Sequence, residues 1–261
     1  MYPQPKKSLG QNFLIDPNIR RKIISIMDFN NRDAVLEIGA GRGELTRMLA
    51  ARVKFIYALE IDRFLSESLQ QEFCQLHNLK VINCDILKFD LDKAFFGLSA
   101  KINVFGNIPY YITTPIIEHL LKYKHKIKII FLTVQKEFAQ RMVSLPSSRD
   151  YGAFSLFVQY HFEPRIAFNI KKGSFYPVPK VDSSLISLKP RLTSAVEVAD
   201  ERQLFSIIRA SFNQRRKVLR NSMQKAVSKE KMERIAWRYA NLLKLRPEDL
   251  SLRDFAELAN A

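Results

Sequence analysis

The sequence predicts an α/β fold: a Rossmann-like open parallel sheet followed by a small all-helical C-terminal domain. Three observations lead there. Up to about Thr133, short runs dense in Val, Ile and Phe alternate with stretches whose apolar residues recur at helical spacing. The first of those runs feeds a glycine-rich turn, Gly39-Ala40-Gly41-Arg42-Gly43. Beyond Asp200 strand candidates cease, and the chain reads as several short helices.

Taken in order, Asp16-Pro17 is a cap followed by proline at a helix start, and it introduces the amphipathic stretch Asn18–Met27. Ala34–Ile38, Phe55–Glu60, Lys80–Asn83, Ile102–Phe105 and Ile127–Thr133 read as buried strands. Helical segments such as Glu44–Ala51 and Arg63–Phe73 lie between them, and this alternation implies a parallel sheet covered on both sides. Gln135–Met142 predicts another helix, Ser144–Asp150 a polar loop, and Tyr151–Tyr160 an aromatic-rich helix. A Pro-rich hinge, Phe175-Tyr176-Pro177-Val178-Pro179, precedes a strand over Val181–Leu188 that Pro190 closes. The domain boundary falls near 190–199, giving a domain over 1–192 and a helical one over 193–261.

Composition narrows the function. With 47% hydrophobic residues the 261-residue chain is globular, and no apolar run approaches the ~20 residues of a membrane span. Met1-Tyr2-Pro3-Gln4-Pro5-Lys6-Lys7 has no apolar core, so it is no secretory signal, and a cytoplasmic protein with no membrane partner is expected. The net charge of +16, from 42 Lys and Arg against 26 Asp and Glu, points to a polyanionic partner. Only Cys74 and Cys84 are present, and His77, His119, His125 and His161 are scattered. Neither a metal site nor a His-based nucleophilic triad is therefore expected.

The glycine loop has the spacing G-x-G-x-G rather than the pyrophosphate-gripping G-x-G-x-x-G. Glu37, just upstream, would repel a pyrophosphate and suit a cationic ligand. S-adenosylmethionine carries two such groups, an ammonium and a sulfonium. Glu60 ends the second strand about 20 residues past the first glycine, where an acid can accept bonds from both ribose hydroxyls. Asp85 follows the third strand, placed for the cofactor's adenine amine, and Asn107 follows the fourth. Taken singly, Glu60 and Asp85 read equally well as solvated loop acids. As a series they mark the carboxyl ends of successive strands, the edge where open α/β sheets bind ligands.

Asn107-Ile108-Pro109-Tyr110 suits methyl transfer to the exocyclic amine of adenine. That nitrogen is a poor nucleophile because its lone pair is delocalised into the purine. Two acceptors aimed at its hydrogens, the Asn107 side-chain oxygen and the Ile108 carbonyl, pull the lone pair back. Pro109 stiffens the turn, and Tyr110 offers a face for a splayed base. The structural alternative is an ordinary Asn-x-Pro turn after a strand.

Together these residues resemble the ribosomal RNA adenine N6-dimethyltransferases of the small-subunit, KsgA/RsmA type, over nearly the whole chain. Leu9-Gly10-Gln11-Asn12-Phe13-Leu14 is similar to the family's N-terminal cofactor motif, Glu37–Gly43 to its glycine loop, and Asn107–Tyr110 to its catalytic motif. Phe175–Ser183 resembles the segment that supplies a second aromatic beside the target base, and Phe212–Asn221 a signature of the C-terminal domain. Ile108 stands where the family often has Leu. The resemblance implies a class I S-adenosylmethionine methyltransferase sheet and dimethylation of two adjacent adenosines near the 3′ end of small-subunit (16S) rRNA during 30S biogenesis, by a monomer.

It assigns cofactor binding to Gln11, Asn12, Leu14, Gly39, Gly41, Glu60, Asp85 and Asn107. Catalysis falls to Asn107, Ile108, Pro109, Tyr110 and Phe175, with base stacking the reading for Phe175 and core packing its structural alternative. Arg215, Arg216, Lys217 and Arg220 read either as a phosphate grip or as a solvated helical face. Three rivals share features of this pattern: a large-subunit adenine methylase of the antibiotic-resistance type, a DNA adenine methylase, and a nucleic-acid-binding assembly or transcription factor. The Phe175 and Phe212–Asn221 segments favour the small-subunit enzyme. Ile108, standing where a DNA methylase usually has a second proline, disfavours the DNA enzyme, and the intact glycine loop disfavours loss of activity.

Overall fold

The computed structural model describes residues 4–261; Met1–Pro3, the start of the segment judged not to be a signal, lie outside the described residues. Among the described residues nine strands form two sheets. They are β1 (Phe13–Leu14), β2 (Ala34–Ile38), β3 (Phe55–Glu60), β4 (Leu79–Asn83), β5 (Ile102–Asn107), β6 (Ile127–Gln135), β7 (Phe162–Ile170), β8 (Phe175–Tyr176) and β9 (Ser183–Pro190). β1 and β8 pair as a two-stranded ribbon, while the rest make a seven-stranded sheet of order β4-β3-β2-β5-β6-β9-β7. β2 through β6 run parallel, and β9 pairs antiparallel with β6.

The helices through the sheet region are α1 (Pro17–Met27), α2 (Glu44–Ala50), α3 (Arg63–Glu72), α4 (Leu91–Ala94), α5 (Thr113–Leu121), α6 (Lys136–Val143) and α7 (Ala153–His161). α8 (Glu201–Asn213), α9 (Leu219–Ser222), α10 (Lys229–Arg238) and α11 (Leu252–Asn260) complete the chain. α1 illustrates why a helix begins where it does. The Asp16 carboxylate accepts from the N–H groups of Asn18 and Ile19, and Pro17 fills the first helical position without forfeiting a hydrogen bond. Ile23, Ile24 and Met27 form its buried stripe.

β2 is buried along its whole length, Val35 and Leu36 at 0% exposure, which is why it reads in sequence as an unbroken apolar run. β7 was not anticipated. It contains Pro164 and alternates exposed with partly buried residues, as an edge strand does, so it lacks the buried-strand signature. α5 is not among the predicted helices either; Pro115 stands in its first turn, where a helix tolerates it.

The chain divides into two compact units, residues 1–139 with 165–192 and residues 140–164 with 193–261. Residues 140–164, which the linear division had assigned to the first domain, group with the helical unit because Tyr151, Leu156 and Tyr160 belong to its core beside Leu204, Ile208 and Phe255. The Tyr151 hydroxyl donates to the Leu250 carbonyl at 2.9 Å, so Tyr151 is a core pin and the helix starts only at Ala153.

Gly43, at φ 77°, opens α2 with no side chain to spare: a Cβ there would sit 2.7 Å from Leu69 Cδ2 and 2.9 Å from the Phe73 ring. Gly43→Ala should therefore lower the unfolding free energy by about 2 kcal/mol, from left-handed strain plus crowding, as a reduced urea midpoint with unchanged slope.

Candidate active site

β2 lies between β3 and β5, so the chain leaves it first toward β3 and β4 and later returns on its other side. Ligands of open α/β sheets bind at such a reversal, outside the carboxyl ends of the strands. A cavity opens there. Its walls include Leu9–Leu14, the glycine loop Gly39–Arg42, Glu37, Glu60, and Asn107–Tyr110, with Phe175 behind.

Glu60 organises the loop. One carboxylate oxygen accepts from the Gly41 N–H at 2.8 Å and the other from the Asp62 N–H at 2.9 Å. Gly39 and Ala40 both donate to the Leu59 carbonyl, which fixes the turn against β3. Gly39 sits at φ 73°, a left-handed backbone that side chains rarely adopt, while a Cβ there would make only ordinary contact, 3.5 Å, with the Asn107 carbonyl.

The segment before β1 is tied across the same edge. Asp62, buried at 3% exposure, receives the Lys6 ammonium at 2.9 Å and the Gln11 amide at 3.2 Å. Burial raises the Asp62 pKa, but these partners outweigh it and hold the carboxyl below the usual range.

Glu37 is 1% exposed, and its Oε2 has no hydrogen-bond partner among the described residues. Burial pushes this carboxyl up to about 8; Thr46 offsets part of the shift, while the charges of Glu60 and Glu44 add to it. Burial also raises Glu60, against the backbone donors of Asp62 and Gly41. Glu37, Glu44 and Glu60 all line the cavity. A buried, unpartnered carboxylate oxygen in an acidic cavity wants a cation, and the ammonium and sulfonium of S-adenosylmethionine meet that demand.

At the far wall the Asn107 Nδ2 donates to the Asn12 carbonyl at 3.1 Å. This fixes the amide so that Oδ1 is left as the accepting end. The Tyr110 hydroxyl shares a 2.6 Å hydrogen bond with Ser183 Oγ on β9, which pins the ring, and burial raises the phenol's pKa.

The structure thus gathers Gln11, Asn12, Leu14, Gly39, Gly41, Glu60, Asn107, Ile108, Pro109, Tyr110 and Phe175 around one cavity. Phe175 is 1% exposed and packs in the core with Leu14 and Ile24, so it forms a rear wall, and core packing is the role its surroundings display. Asp85 is not among the lining residues: its carboxylate accepts from the Leu87 N–H and caps the turn Ile86–Lys88. Within the helical unit Arg215 is held by Glu248 and by the carbonyl of Arg149, while Arg216, Lys217 and Arg220 are exposed. Sequence reasoning missed Arg42, whose guanidinium lies 4.3 Å from the Phe13 ring centre on the cavity wall, and the Asp62 tie. The arginine inside the glycine loop was a visible signal for the first; the second depends on residues more than 50 positions apart.

Comparison with known proteins agrees with this fold. The profile of the family described as ribosomal RNA adenine dimethylase matches residues 3–260. A protein named ribosomal RNA small subunit methyltransferase A, from Moorella thermoacetica, is 42% identical over 226 residues, covering 84% of this chain and 78% of that protein. The crystal structure of a dimethyladenosine transferase from Plasmodium falciparum superposes with a TM-score of 0.79 at 26% identity, covering 94% of this chain and 95% of that one. The 23S rRNA methyltransferase ErmE superposes at 0.70, also 26% identical, covering 95% and 100%.

Fold and cavity define an S-adenosylmethionine-dependent methyltransferase. Within that class the chain belongs to the ribosomal RNA adenine dimethylase family. It is an S-adenosylmethionine-dependent rRNA adenine dimethyltransferase, 42% identical to the relative named for the small subunit and 26% identical to the 23S enzyme.

Because Glu37 is protonated in the free protein below about pH 8 and a cationic ligand favours its ionised form, cofactor binding should release close to one proton near pH 7. Affinity should therefore rise with pH up to about 8. Calorimetry in buffers of differing ionisation heat measures both effects, and Glu37→Gln should abolish the proton release and weaken binding.

Proposed function

We propose that the enzyme acts, as a cytoplasmic monomer, on two adjacent adenosines near the 3′ end of small-subunit rRNA within a 30S precursor. The observation that carries the chemistry is the fixed Asn107 amide, whose donor end is committed to Asn12. The described residues include no helix long and apolar enough to cross a membrane.

Gly39, Gly41, Glu60, Gln11 and Asn12 would hold the cofactor against the strand ends, with Glu37 facing its positive charge. S-adenosylmethionine supplies a methyl group already activated by its positive sulfur. The chain's task is to present the acceptor. Asn107 Oδ1 and the Ile108 carbonyl accept the two amino hydrogens of adenine and draw the lone pair back onto nitrogen. The Ile108 side chain is 3% exposed, which anchors the turn that aims its carbonyl. Tyr110, pinned through Ser183, gives the extruded base a fixed face.

No strong base is required, because the product ammonium is acidic enough to lose its proton to water. Positioning and fixed dipoles supply the acceleration. The second transfer needs the singly methylated amine to turn, which an acceptor pair open to the cavity permits. In the helical unit, Arg216, Lys217 and Arg220 contribute phosphate contacts, with Arg215 serving mainly to hold Glu248.

Asn107→Ala should reduce methyl transfer by at least about 100-fold, the scale of losing a transition-state hydrogen-bond acceptor, with cofactor affinity changed by less than about threefold; single-turnover assays beside calorimetry separate the two. Replacing Arg216, Lys217 and Arg220 together by Ala should shallow the salt dependence of rRNA binding by about 0.7–0.9 per lost contact. Arg215→Ala should instead leave that slope nearly intact and lower the melting temperature.

A further inference from the structure

Trp237, the one tryptophan of the chain, is 88% exposed near the end of α10. Burying a tryptophan is strongly favourable, so one left this open on a folded surface points to a use elsewhere. α10 explains how it is presented. Ile235 is buried in the core of the helical unit, and Met232 and Ala236 pack partly against it. Glu233, Arg234, Trp237 and Arg238 recur at helical spacing on the other side and line a shallow surface groove with Ala261.

The surroundings of the indole say what would cover it. A protein-docking patch gathers several large apolar residues, whereas Trp237 is the only exposed large hydrophobic on α10. Its groove neighbours include two guanidinium groups instead. The Arg234 Nε donates to the Ala261 carbonyl at 2.9 Å, Arg238 lies 5.5 Å from the Tyr239 ring centre, and both arginines line the same groove as the indole. A flat aromatic flanked by fixed cations suits a nucleobase and its phosphates: the base stacks, and the guanidinium groups meet the backbone charge. Glu233 also lines the groove and disfavours a second phosphate there, which limits the site to one base with a single phosphate.

We propose that Trp237, with Arg234 and Arg238, is a second RNA-contacting site that stacks an unpaired base of the ribosomal RNA substrate. This rests on the family reading, and it adds a contact outside both the catalytic cavity and the Arg216–Arg220 cluster. Its role is binding, since none of its groove residues lines the cavity.

The tryptophan's uniqueness makes its fluorescence a direct readout. The full chain is titrated with undermethylated small subunits and separately with naked small-subunit rRNA, while emission, acrylamide quenching and methyl transfer are followed on the same samples. Stacking predicts quenched emission and protection from acrylamide with both. Trp237→Ala should weaken binding about tenfold, with Trp237→Phe recovering most of the loss and S-adenosylmethionine affinity unchanged. Normal methylation with unaltered Trp237 emission would overturn the proposal while leaving the enzyme assignment intact. A response to subunits but not to naked rRNA would reassign the site to a ribosomal protein, and a response to protein concentration alone would reassign it to self-association; either outcome overturns it. Absence of methylation by the unsubstituted enzyme would instead count against the family reading.

Discussion

One buried carboxylate holds the catalytic edge together. Glu60 sits at the end of β3 and receives two backbone N–H groups, one from the glycine loop after β2 and one from Asp62. Asp62 in turn holds Lys6 and Gln11, so the N-terminal segment, the loop and the strand end form one hydrogen-bonded chain. Charge-assisted bonds to a desolvated acid are among the stronger polar interactions available, and removing the acid would take the carboxylate partner from both N–H donors. The cavity shape follows from that acid as much as from the sheet.

A cavity built this way is electrostatically unsatisfied. Glu37, Glu44 and Glu60 share one small space, and burial together with mutual repulsion keeps Glu37 protonated at neutral pH. The protein keeps an acid poised to ionise where a cation is to arrive, a common arrangement in functional sites. The overall charge of +16 is of the opposite sign, so the acidic cofactor hollow is set into a basic molecule. Two ligands of opposite charge are thus sorted by local field, the polyanion by the surface and the cation by the cavity.

Much of this was legible in the sequence because the signals are local. The buried parallel strands announce themselves through runs such as AVLEI, and the glycine loop and Asn107–Tyr110 are contiguous segments at strand ends. What escaped depends on contacts between distant positions. The partner that pins Tyr110 is Ser183, and the partner that orients Asn107 is the backbone of Asn12. Asp85 follows β4 as its place in the sequence predicts, and one oxygen of its carboxylate also caps the next turn, a local bond the strand-end pattern does not announce. β7 was hidden by Pro164, which an edge strand tolerates and a central strand does not. Residues 140–164 were assigned by adjacency in the chain, whereas Tyr151 and Tyr160 are committed to the helical core.

Under the proposed chemistry, the bond from the Asn107 amide to the Asn12 carbonyl brings the backbone at position 12 into the reaction centre. An unrestrained amide turns over easily and would show a purine its hydrogen-bearing face as readily as its oxygen. Here rotation would set the oxygen against another oxygen, so the backbone at position 12 acts as a latch on polarity. A chain shortened past that point would keep every strand of the main sheet yet lose the means of telling an amino group from a carbonyl.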